Sequence, residues 1–291
     1  MKALVFGITG QDGYYLKNIL LNNSIDVIGI SRSDNRYIQG DISDFESVQA
    51  LVKKFQPDFI FHLAANSTTR HSALFDNHLA ISTGTFNILE SAKLHAPHSR
   101  VFLSGSAMQF ENRGIPIDEQ TPFHAGSPYS VSRIHSVYAG RYYREKFGLK
   151  VFVGYFFNHD SPLRTESHIN QKIVNVVKRI SQGRNEKLEL GDIDVEKEFN
   201  FAGDVMDAVW ILMNQDTFFE AVIGSGKAYK IKDWIQLCFD FIGKNWEDYV
   251  IKKSEFIPEY SRLVSNPKLM MNMGWQPQKN IIQLVNLMME G

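Results

Sequence analysis

The sequence predicts an α/β protein with a Rossmann-type parallel sheet, helices on both faces of that sheet, and a smaller C-terminal cap. Three features of the 291-residue chain support this prediction. Short apolar runs alternate with helix-like segments over about the first 160 residues. A glycine cluster follows the first run, and the alternation loosens after about residue 165. Repeated βα units are typical of a parallel sheet that helices cover on both faces.

The predicted strands are short apolar runs, as expected for strands buried on both faces. They are Ala3–Ile8, Asp26–Ile30, Phe59–Leu63, Val101–Ser104 and Val151–Tyr155. Helical spacing predicts the helices Tyr14–Asn22, Ser43–Phe55, His78–Leu94 and Ser130–Phe147. The second of these opens with a serine and acidic residues, as helix N-termini often do.

The chain beyond residue 165 predicts a cap without a large sheet of its own. Its predicted helices are Ile169–Gln182, Asp204–Asn214, Ile231–Ile242 and Ile281–Met289. Irregular segments that contain Gly191, Gly224, Gly226, Pro258 and Pro267 join them. We therefore predict one domain over residues 1–165 and a cap formed mostly by residues 166–291, with a ligand site in the cleft between them.

The composition indicates an ordinary globular protein. Hydrophobic residues make up 44% of the chain, and 31 basic side chains face 32 acidic ones, for a net charge of −1. This composition excludes a disordered chain. It provides no long-range field for nucleic acid or an anionic membrane, so we expect neither as a partner.

The single cysteine and the N-terminal segment of the sequence predict the cellular location. The single cysteine, Cys238, lies in an apolar run and is interpreted as a core residue. The apolar start is too short for a signal peptide, and no 18-residue apolar run occurs, so we expect a cytoplasmic protein.

The glycine cluster predicts a dinucleotide site. Gly7, Gly10 and Gly13 in GITGQDG follow the first strand and open the first helix. Such a loop needs a tight turn, close approach of the backbone to a pyrophosphate, and close packing of helix on strand. The alternative is a turn without a ligand, but the position at the start of a βα series favours the dinucleotide.

The end of the second strand favours NADP. Many NAD sites have an acidic residue there that binds the ribose 2′-hydroxyl, whereas this chain has Arg32. A guanidinium can bind a 2′-phosphate with two hydrogen bonds, although a solvated loop cation is the alternative. Asp41, in the next turn, could accept a hydrogen bond from an adenine amino group.

The segment Tyr129–Arg133 supplies candidate catalytic groups. Residues four apart lie on one face of a helix, so the Arg133 cation can sit beside the Tyr129 phenol. Lowering a tyrosine pKa by about 3 units takes about 4 kcal/mol, which a cation and the charge of a nicotinamide could supply. A surface Tyr–Arg pair is the alternative.

With these motifs the chain resembles the extended short-chain dehydrogenase/reductase family, whose signature joins G-x-x-G-x-x-G to Y-x-x-x-K with an upstream Ser or Thr. Within that family it is most similar to the GDP-mannose 4,6-dehydratases. The stretches that carry the likeness are GITGQDGYYL from Gly7, FHLAA from Phe61, SPYSVS from Ser127, FNHDSP from Phe157, WEDYV from Trp246 and GWQP from Gly274. The stretch LGDIDV from Leu190 also resembles GDP-4-keto-6-deoxymannose reductases.

The resemblance implies roles for individual residues. Tyr129 would be the acid/base at the sugar 4-position, Ser106 would bond a sugar hydroxyl, and Arg133 stands where the family has the lysine that binds the nicotinamide ribose. Cofactor binding would involve Gly7, Gly10, Gln11, Asp12, Gly13, Arg32, Asp41, Ile42, Leu63, Ala64, Ala65, Tyr129, Arg133, His159 and Arg164. Substrate binding would involve Ser67, Ser106, Asn158, Lys172 and Lys197.

Three positions depart from the family pattern. Met108 stands where dehydratases have a glutamate, so full 4,6-dehydration needs Glu111 or another group as a substitute. Arg133 keeps the charge of the replaced lysine but cannot pass on a proton. Ile257 stands where the family has an arginine near the diphosphate, and Arg262 is a candidate replacement.

These departures favour an NADP-dependent oxidoreductase acting at C4 of a nucleotide sugar that is GDP-linked by resemblance, and above all a 4-keto-6-deoxy-sugar reductase. The alternatives are a 4,6-dehydratase with a substituted acid/base and a catalytically weakened nucleotide-sugar-binding homologue. No metal is predicted, because His95 and His98 flank a turn proline without zinc-ligand spacing. Family members pair through helices equivalent to His78–Leu94 and Ser130–Phe147, so we expect a homodimer or homotetramer.

Overall fold

A computed structural model describes residues 1–253 and 256–291. Its strands are β1 Lys2–Phe6, β2 Asp26–Ser31, β3 Ile38–Gln39, β4 Phe59–His62, β5 Arg100–Ser106, β6 Lys150–Phe156, β7 His159–Asp160, β8 Leu188–Leu190, β9 Glu196–Glu198, β10 Asn200–Phe201, β11 Glu220–Ile223, β12 Ala228–Lys230, β13 Val250–Lys252 and β14 Arg262–Leu263. Its α-helices are α1 Gln11–Asn22, α2 Phe45–Phe55, α3 Leu74–Asn77, α4 Gly84–His95, α5 Pro128–Phe147, α6 Ile169–Ser181, α7 Ala202–Met213, α8 Ile231–Phe241, α9 Lys268–Asn272 and α10 Ile281–Glu290.

Seven strands form one central sheet in the order β11-β6-β5-β4-β1-β2-β3. Every neighbouring pair in it is parallel. Apolar residues of α2, α4 and α5 pack on one face, and those of α1 and α7 pack on the other. The predicted fold class, a parallel sheet covered by helices on both faces, is confirmed.

The predicted helix at His78–Leu94 starts earlier in the structure and is less regular. It begins with α3, passes through a π-helical turn at His78–Thr83, and continues as α4. The chain beyond residue 165 builds a separate core from α6, α8 and α10 together with small sheets, one of which also includes β7 from before residue 165. It also returns to the central sheet through α7 and β11, and the division into domains at residue 165 stays a prediction.

Strand β11, at the edge of the sheet, is attached by a charged cluster at Glu220. Arg141 and Arg144 of α5 donate hydrogen bonds to its carboxylate at 2.6–2.9 Å, and the Tyr155 hydroxyl donates at 2.6 Å. Burial alone would raise the pKa of Glu220, but these donors hold it at about 2. In the described part of the chain, no helix is both long and apolar enough to cross a membrane.

Candidate active site

Two adjoining cavities lie at the carboxyl ends of the central strands, where ligands of open α/β sheets bind. The first cavity, of about 490 Å³, is lined by the glycine loop and by Ser106, Tyr129 and His168. The second cavity, of about 600 Å³, is lined by the same loop and by Arg32 and Asp41. The glycine loop is thus common to both cavities.

The glycine loop has the close packing that a pyrophosphate cradle requires. Gly7 has a φ of 91°, which favours glycine. A Cβ at Gly13 would lie 2.4 Å from the Gly7 carbonyl oxygen, so only glycine fits beneath the loop. No side chain caps the N-terminus of α1 at Gly10, and the N–H groups of its first turn are therefore available to an anion.

Asp12 and His159 contact each other beside this loop. The His159 Nδ1 lies 2.8 Å from the Phe157 carbonyl oxygen, and Nε2 lies 3.0 Å from the Asp12 carboxylate. Burial alone would raise the pKa of Asp12, but contact with His159 lowers it to about 2. Two predicted cofactor residues contact the same pair: the Gln11 amide donates to the Asp12 carboxylate at 3.2 Å, and Arg164 donates to the His159 carbonyl oxygen at 2.9 Å.

Ser106 and Tyr129 line the first cavity from two different elements. Ser106 ends β5 and accepts a hydrogen bond from the Met108 backbone N–H at 3.2 Å. The side chain of Gln109 accepts from the Ser106 backbone N–H at 2.9 Å, which fixes the serine in place. Tyr129 lies in the first turn of α5, after Pro128, and is 8% exposed. The hydroxyl hydrogen of Ser106 therefore stays available to a ligand in the cavity.

Arg133 is held in place by the end of β5. Its guanidinium donates to the Ser104 carbonyl oxygen and, at 2.7 Å, to the Ser104 hydroxyl oxygen. The guanidinium carbon lies 5.1 Å from the centre of the Tyr129 ring. Burial, together with the Arg133 charge, lowers the pKa of the adjacent His62 to about 3. Arg133 is thus a fixed cation beside the phenol, next to a neutral histidine.

Met108 lines the first cavity near Ser106 and Tyr129. Glu111, the candidate substitute acid/base, instead forms an ion pair with Arg113 at 2.9 Å and does not line the cavity. Among the described residues, Asp12 is the only carboxylate that lines the first cavity, and His159 already binds it. From the part of the chain that the structure describes, the first cavity therefore receives the Tyr129 phenol and the Ser106 hydroxyl but no free carboxylate.

The second cavity collects the residues predicted for the adenosine side. Arg32 is exposed at its edge, and Asp41 accepts hydrogen bonds from the Ser43 N–H and hydroxyl at 2.9 and 2.8 Å. Burial alone would raise the pKa of Asp41, but these bonds lower it. Ile42 and Ala64 complete this side of the cavity.

Most of the predicted site residues line one of the two cavities. Those that line the first are Gly7, Gly10, Gln11, Asp12, Gly13, Leu63, Ala65, Ser67, Ser106, Tyr129, Arg133, Asn158, His159 and Arg164. Those that line the second are Gly7, Gly10, Arg32, Asp41, Ile42, Leu63, Ala64 and Ala65.

The cations predicted for the substrate diphosphate lie elsewhere. Lys172 donates to the Glu189 carbonyl oxygen at 3.1 Å, and buried Lys197 lies over the Phe199 ring; neither lines either of these two cavities. Their role in substrate binding stays a prediction.

Two further positions near the expected diphosphate contribute no cation to the cavities. Arg262 is paired with Glu196 at 3.1 Å, and Ile257 is 89% exposed. His168, which lines the first cavity, was missed because nothing in the sequence marks a histidine just before an amphipathic helix as a ligand.

Comparisons with known proteins agree with this geometry. A family model described as GDP-mannose 4,6 dehydratase matches residues 4–288. The protein named GDP-mannose 4,6 dehydratase 1 of Arabidopsis thaliana is 32% identical over 319 residues, which cover 99% of this chain and 88% of that protein. GDP-mannose 4,6-dehydratase of Yersinia enterocolitica is 31% identical, over 81% of this chain and 70% of that protein.

Solved structures share the fold over nearly the full chain. RMD from Pseudomonas aeruginosa, complexed with NADPH, has a TM-score of 0.87 at 23% identity and covers 99% of this chain and 97% of its own. The dTDP-glucose 4,6-dehydratase of Bacillus anthracis, in complex with NAD, has a TM-score of 0.85 at 19% identity and covers 100% and 96%. At such low identity these two structures show the fold alone.

Proposed function

The chain belongs to the GDP-mannose 4,6-dehydratase family, among the extended short-chain dehydrogenase/reductase enzymes of nucleotide sugars, and from that premise we propose that it is an NADP-dependent reductase of a 4-keto-6-deoxy sugar. The substrate would be linked to a nucleoside diphosphate, GDP by family resemblance. The observation that carries this proposal is Met108, which lines the cavity where 4,6-dehydration needs a carboxylate.

The chemistry at the sugar supports reduction over dehydration. Loss of water across C5 and C6 requires a group that removes the C5 proton and protonates the leaving oxygen, and a thioether can do neither. Reduction at C4 requires only one proton donor at the ketone oxygen. Tyr129 and Ser106 line the same cavity and are sufficient for that step.

The proposed reaction uses three side chains of this chain. Bound NADPH would supply the hydride for C4. Tyr129 donates its phenolic proton to the C4 oxygen, and Ser106 donates a hydrogen bond that positions this oxygen. Arg133 stabilises the negative charge that develops on the Tyr129 oxygen. Because arginine keeps its proton, Tyr129 is reprotonated by another route, such as solvent.

The loop and second cavity fit a dinucleotide with a 2′-phosphate. Gly13 leaves no room for a Cβ beneath the loop, and the first-turn N–H groups of α1 are available to a pyrophosphate. Arg32 stands exposed at the end of β2, between Ser31 and Ser33, which also line the second cavity. These residues can bind a phosphate without competing with a carboxylate at the end of β2.

A homodimer through α4 and α5 is part of the proposal. Large side chains on these helices are exposed, including Phe86 at 42%, Val131 at 50% and Tyr138 at 57%. Exposed apolar groups of this size are typical of a subunit contact. Light scattering at micromolar concentration should give the mass of a dimer or tetramer, and a monomer would contradict this part.

The dehydratase is the second candidate, since the relatives from Arabidopsis thaliana and Yersinia enterocolitica carry that name. Two assays separate the candidates. The purified protein is incubated with NADPH and GDP-4-keto-6-deoxymannose, and separately with NADP and GDP-mannose. Loss of NADPH absorbance with the keto sugar supports the reductase. Keto-sugar formation from GDP-mannose without net NADPH change supports the dehydratase, and no turnover of either sugar contradicts both.

A tyrosine variant tests the assigned proton donor. Tyr129→Phe should abolish the reaction that is observed, because it removes the phenolic proton. Tyr142→Phe, on the same helix but exposed, is the matched control and should keep full activity. A fully active Tyr129→Phe enzyme would overturn the mechanism.

A further inference from the structure

Ser104 connects the end of the central sheet to the guanidinium of Arg133. It is the first residue of β5 beyond the last pair with β4, which His62 forms with Leu103, and it is 4% exposed. Its hydroxyl donates to the His62 carbonyl oxygen at 2.9 Å. Because a hydroxyl has only one hydrogen, the Ser104 Oγ can only accept from Arg133. The 2.7 Å contact between them is therefore a hydrogen bond from Nη1 to an oxygen whose direction the sheet fixes.

In the described part of the chain, one guanidinium nitrogen carries the hydrogen bonds that hold Arg133. Nη1 donates to the Ser104 carbonyl oxygen as well as to the Ser104 hydroxyl oxygen. Nε is fully buried and has no partner among the described residues, and the whole residue is 4% exposed. A buried donor without a partner is unfavourable. The position of this side chain therefore depends on its two bonds to Ser104.

Both acceptors are neutral, so the charge of Arg133 is not cancelled where it is held. Within residues 1–253 and 256–291, none of the ion pairs includes Arg133. The adjacent His62 ring is neutral, because burial and the Arg133 charge lower its pKa to about 3. A carboxylate in place of the Ser104 hydroxyl would also hold the guanidinium, but it would oppose the field of the cation at the phenol. Ser104 thus keeps a full positive charge 5.1 Å from the centre of the Tyr129 ring.

We propose that Ser104 is a positioning residue for the reaction: its hydroxyl fixes the Arg133 guanidinium over the Tyr129 ring, which lets an arginine act at the position of the family's lysine. This inference rests on the proposed function, because it takes Tyr129 as the proton donor. Ser104 acts through Arg133 and does not donate to the sugar, since its single hydrogen is bonded to His62. Its contribution to the rate therefore requires the arginine.

Loss of the Ser104 hydroxyl should reduce the rate without abolishing it. In Ser104→Ala the backbone carbonyl oxygen still accepts from Nη1, but the guanidinium can turn about that one bond and move away from the phenol. The kcat for NADPH oxidation should fall about tenfold, because a hydrogen bond to a charged group is lost. In an Arg133→Met background the same change should lower kcat by less than about twofold, because the cation that Ser104 positions is already absent.

Two measurements on the full chain test the proposal. The first is single-turnover oxidation of saturating NADPH by GDP-4-keto-6-deoxymannose, with Ser104→Ala in both backgrounds. The second is hydrogen exchange of the Arg133 guanidinium, followed by NMR with isotopically labelled arginine; its signal is the one missing from Arg133→Met. Exchange should be about tenfold faster in Ser104→Ala.

The matched control is Ser99→Ala. Ser99 is a buried serine just before β5, at the opposite end of this strand from the cavities, and its hydroxyl donates to the Pro57 carbonyl oxygen. This variant also loses one buried hydroxyl, so any effect on stability should be similar. Its kcat and its Arg133 exchange should match those of the unaltered chain.

Three results would overturn the inference: unchanged Arg133 exchange in Ser104→Ala, faster exchange with an unchanged kcat, or the same fractional loss of kcat in both backgrounds. Melting temperature identifies a variant that has lost its fold. Ser104→Cys, which fills the same space with a weak acceptor, should then show both effects. If the unaltered chain consumes no NADPH with the keto sugar, the proposed reductase is contradicted, and the exchange measurement still decides whether Ser104 anchors Arg133.

Discussion

Replacing Arg133 with methionine removes the cation over the Tyr129 ring and keeps a side chain of similar length. The guanidinium carbon lies 5.1 Å from the ring centre. With an effective dielectric constant of about 20, a unit charge at that separation stabilises a developing phenolate by about 3 kcal/mol. Since about 1.4 kcal/mol corresponds to a factor of ten, kcat should fall about 200-fold.

The assay is single-turnover oxidation of NADPH by the keto sugar. The cofactor is saturating, so that weaker cofactor binding by the variant does not change the measured rate. Arg133→Lys is the matched control, because it keeps the charge and replaces the one guanidinium nitrogen that donates to both Ser104 oxygens with an ammonium group. It should stay within about tenfold of the unaltered enzyme. If Arg133→Met keeps more than about a tenth of kcat while remaining folded, the electrostatic role of Arg133 is refuted.

Three further changes test the loop, the cofactor preference and the sheet edge. Gly13→Ala places a Cβ 2.4 Å from the Gly7 carbonyl oxygen and should lower folding stability by about 1–3 kcal/mol, measured by melting temperature. It should also weaken NADPH binding, measured by fluorescence titration. A variant with unchanged stability and NADPH binding would contradict the role of the loop as a pyrophosphate cradle. Arg32→Ala should weaken NADPH binding about 10- to 100-fold and leave NADH binding unchanged, and equal effects on both would exclude the 2′-phosphate contact. Glu220→Gln removes the carboxylate to which two α5 arginines and Tyr155 donate hydrogen bonds. The free energy of unfolding should therefore fall by about 1–3 kcal/mol at neutral pH. Because the pKa of Glu220 is lowered from 4.5 to about 2, the unaltered protein should lose this advantage as the pH falls through that window, and urea unfolding that shows the same acid sensitivity in both proteins contradicts the prediction.

Local patterns made the strands, the main helices and the glycine loop predictable. The apolar run of β1 and the three glycines after it are a short-range signal, and their packing requirement is met in the structure. Tyr129 and Arg133 share one face of α5, as their spacing requires. Strand β11 was not predicted, because four residues carry little periodicity and its pairing with β6 joins segments far apart in sequence.

Comparison of motifs did not predict which side chains reach the two cavities. Lys172 and Lys197 match family positions, but neither lines the first or the second cavity. Glu111 lies three residues from Met108, but its pairing with Arg113 keeps it out of the cavity. Such outcomes depend on competing partners that come from other elements of the fold.

The sequence alone determined the class of fold, the dinucleotide loop and the Tyr129 helix, because each depends on contacts between residues close along the chain. It also indicated, by family resemblance, that Met108 stands where dehydratases have a glutamate. Only the tertiary structure decided that no free carboxylate among the described residues lines the first cavity, that Ser104 holds Arg133 beside the phenol, and that His168 lines the same cavity. These features arise where strands and helices distant in sequence meet, and the packing of the whole chain sets which side chains reach the cavity.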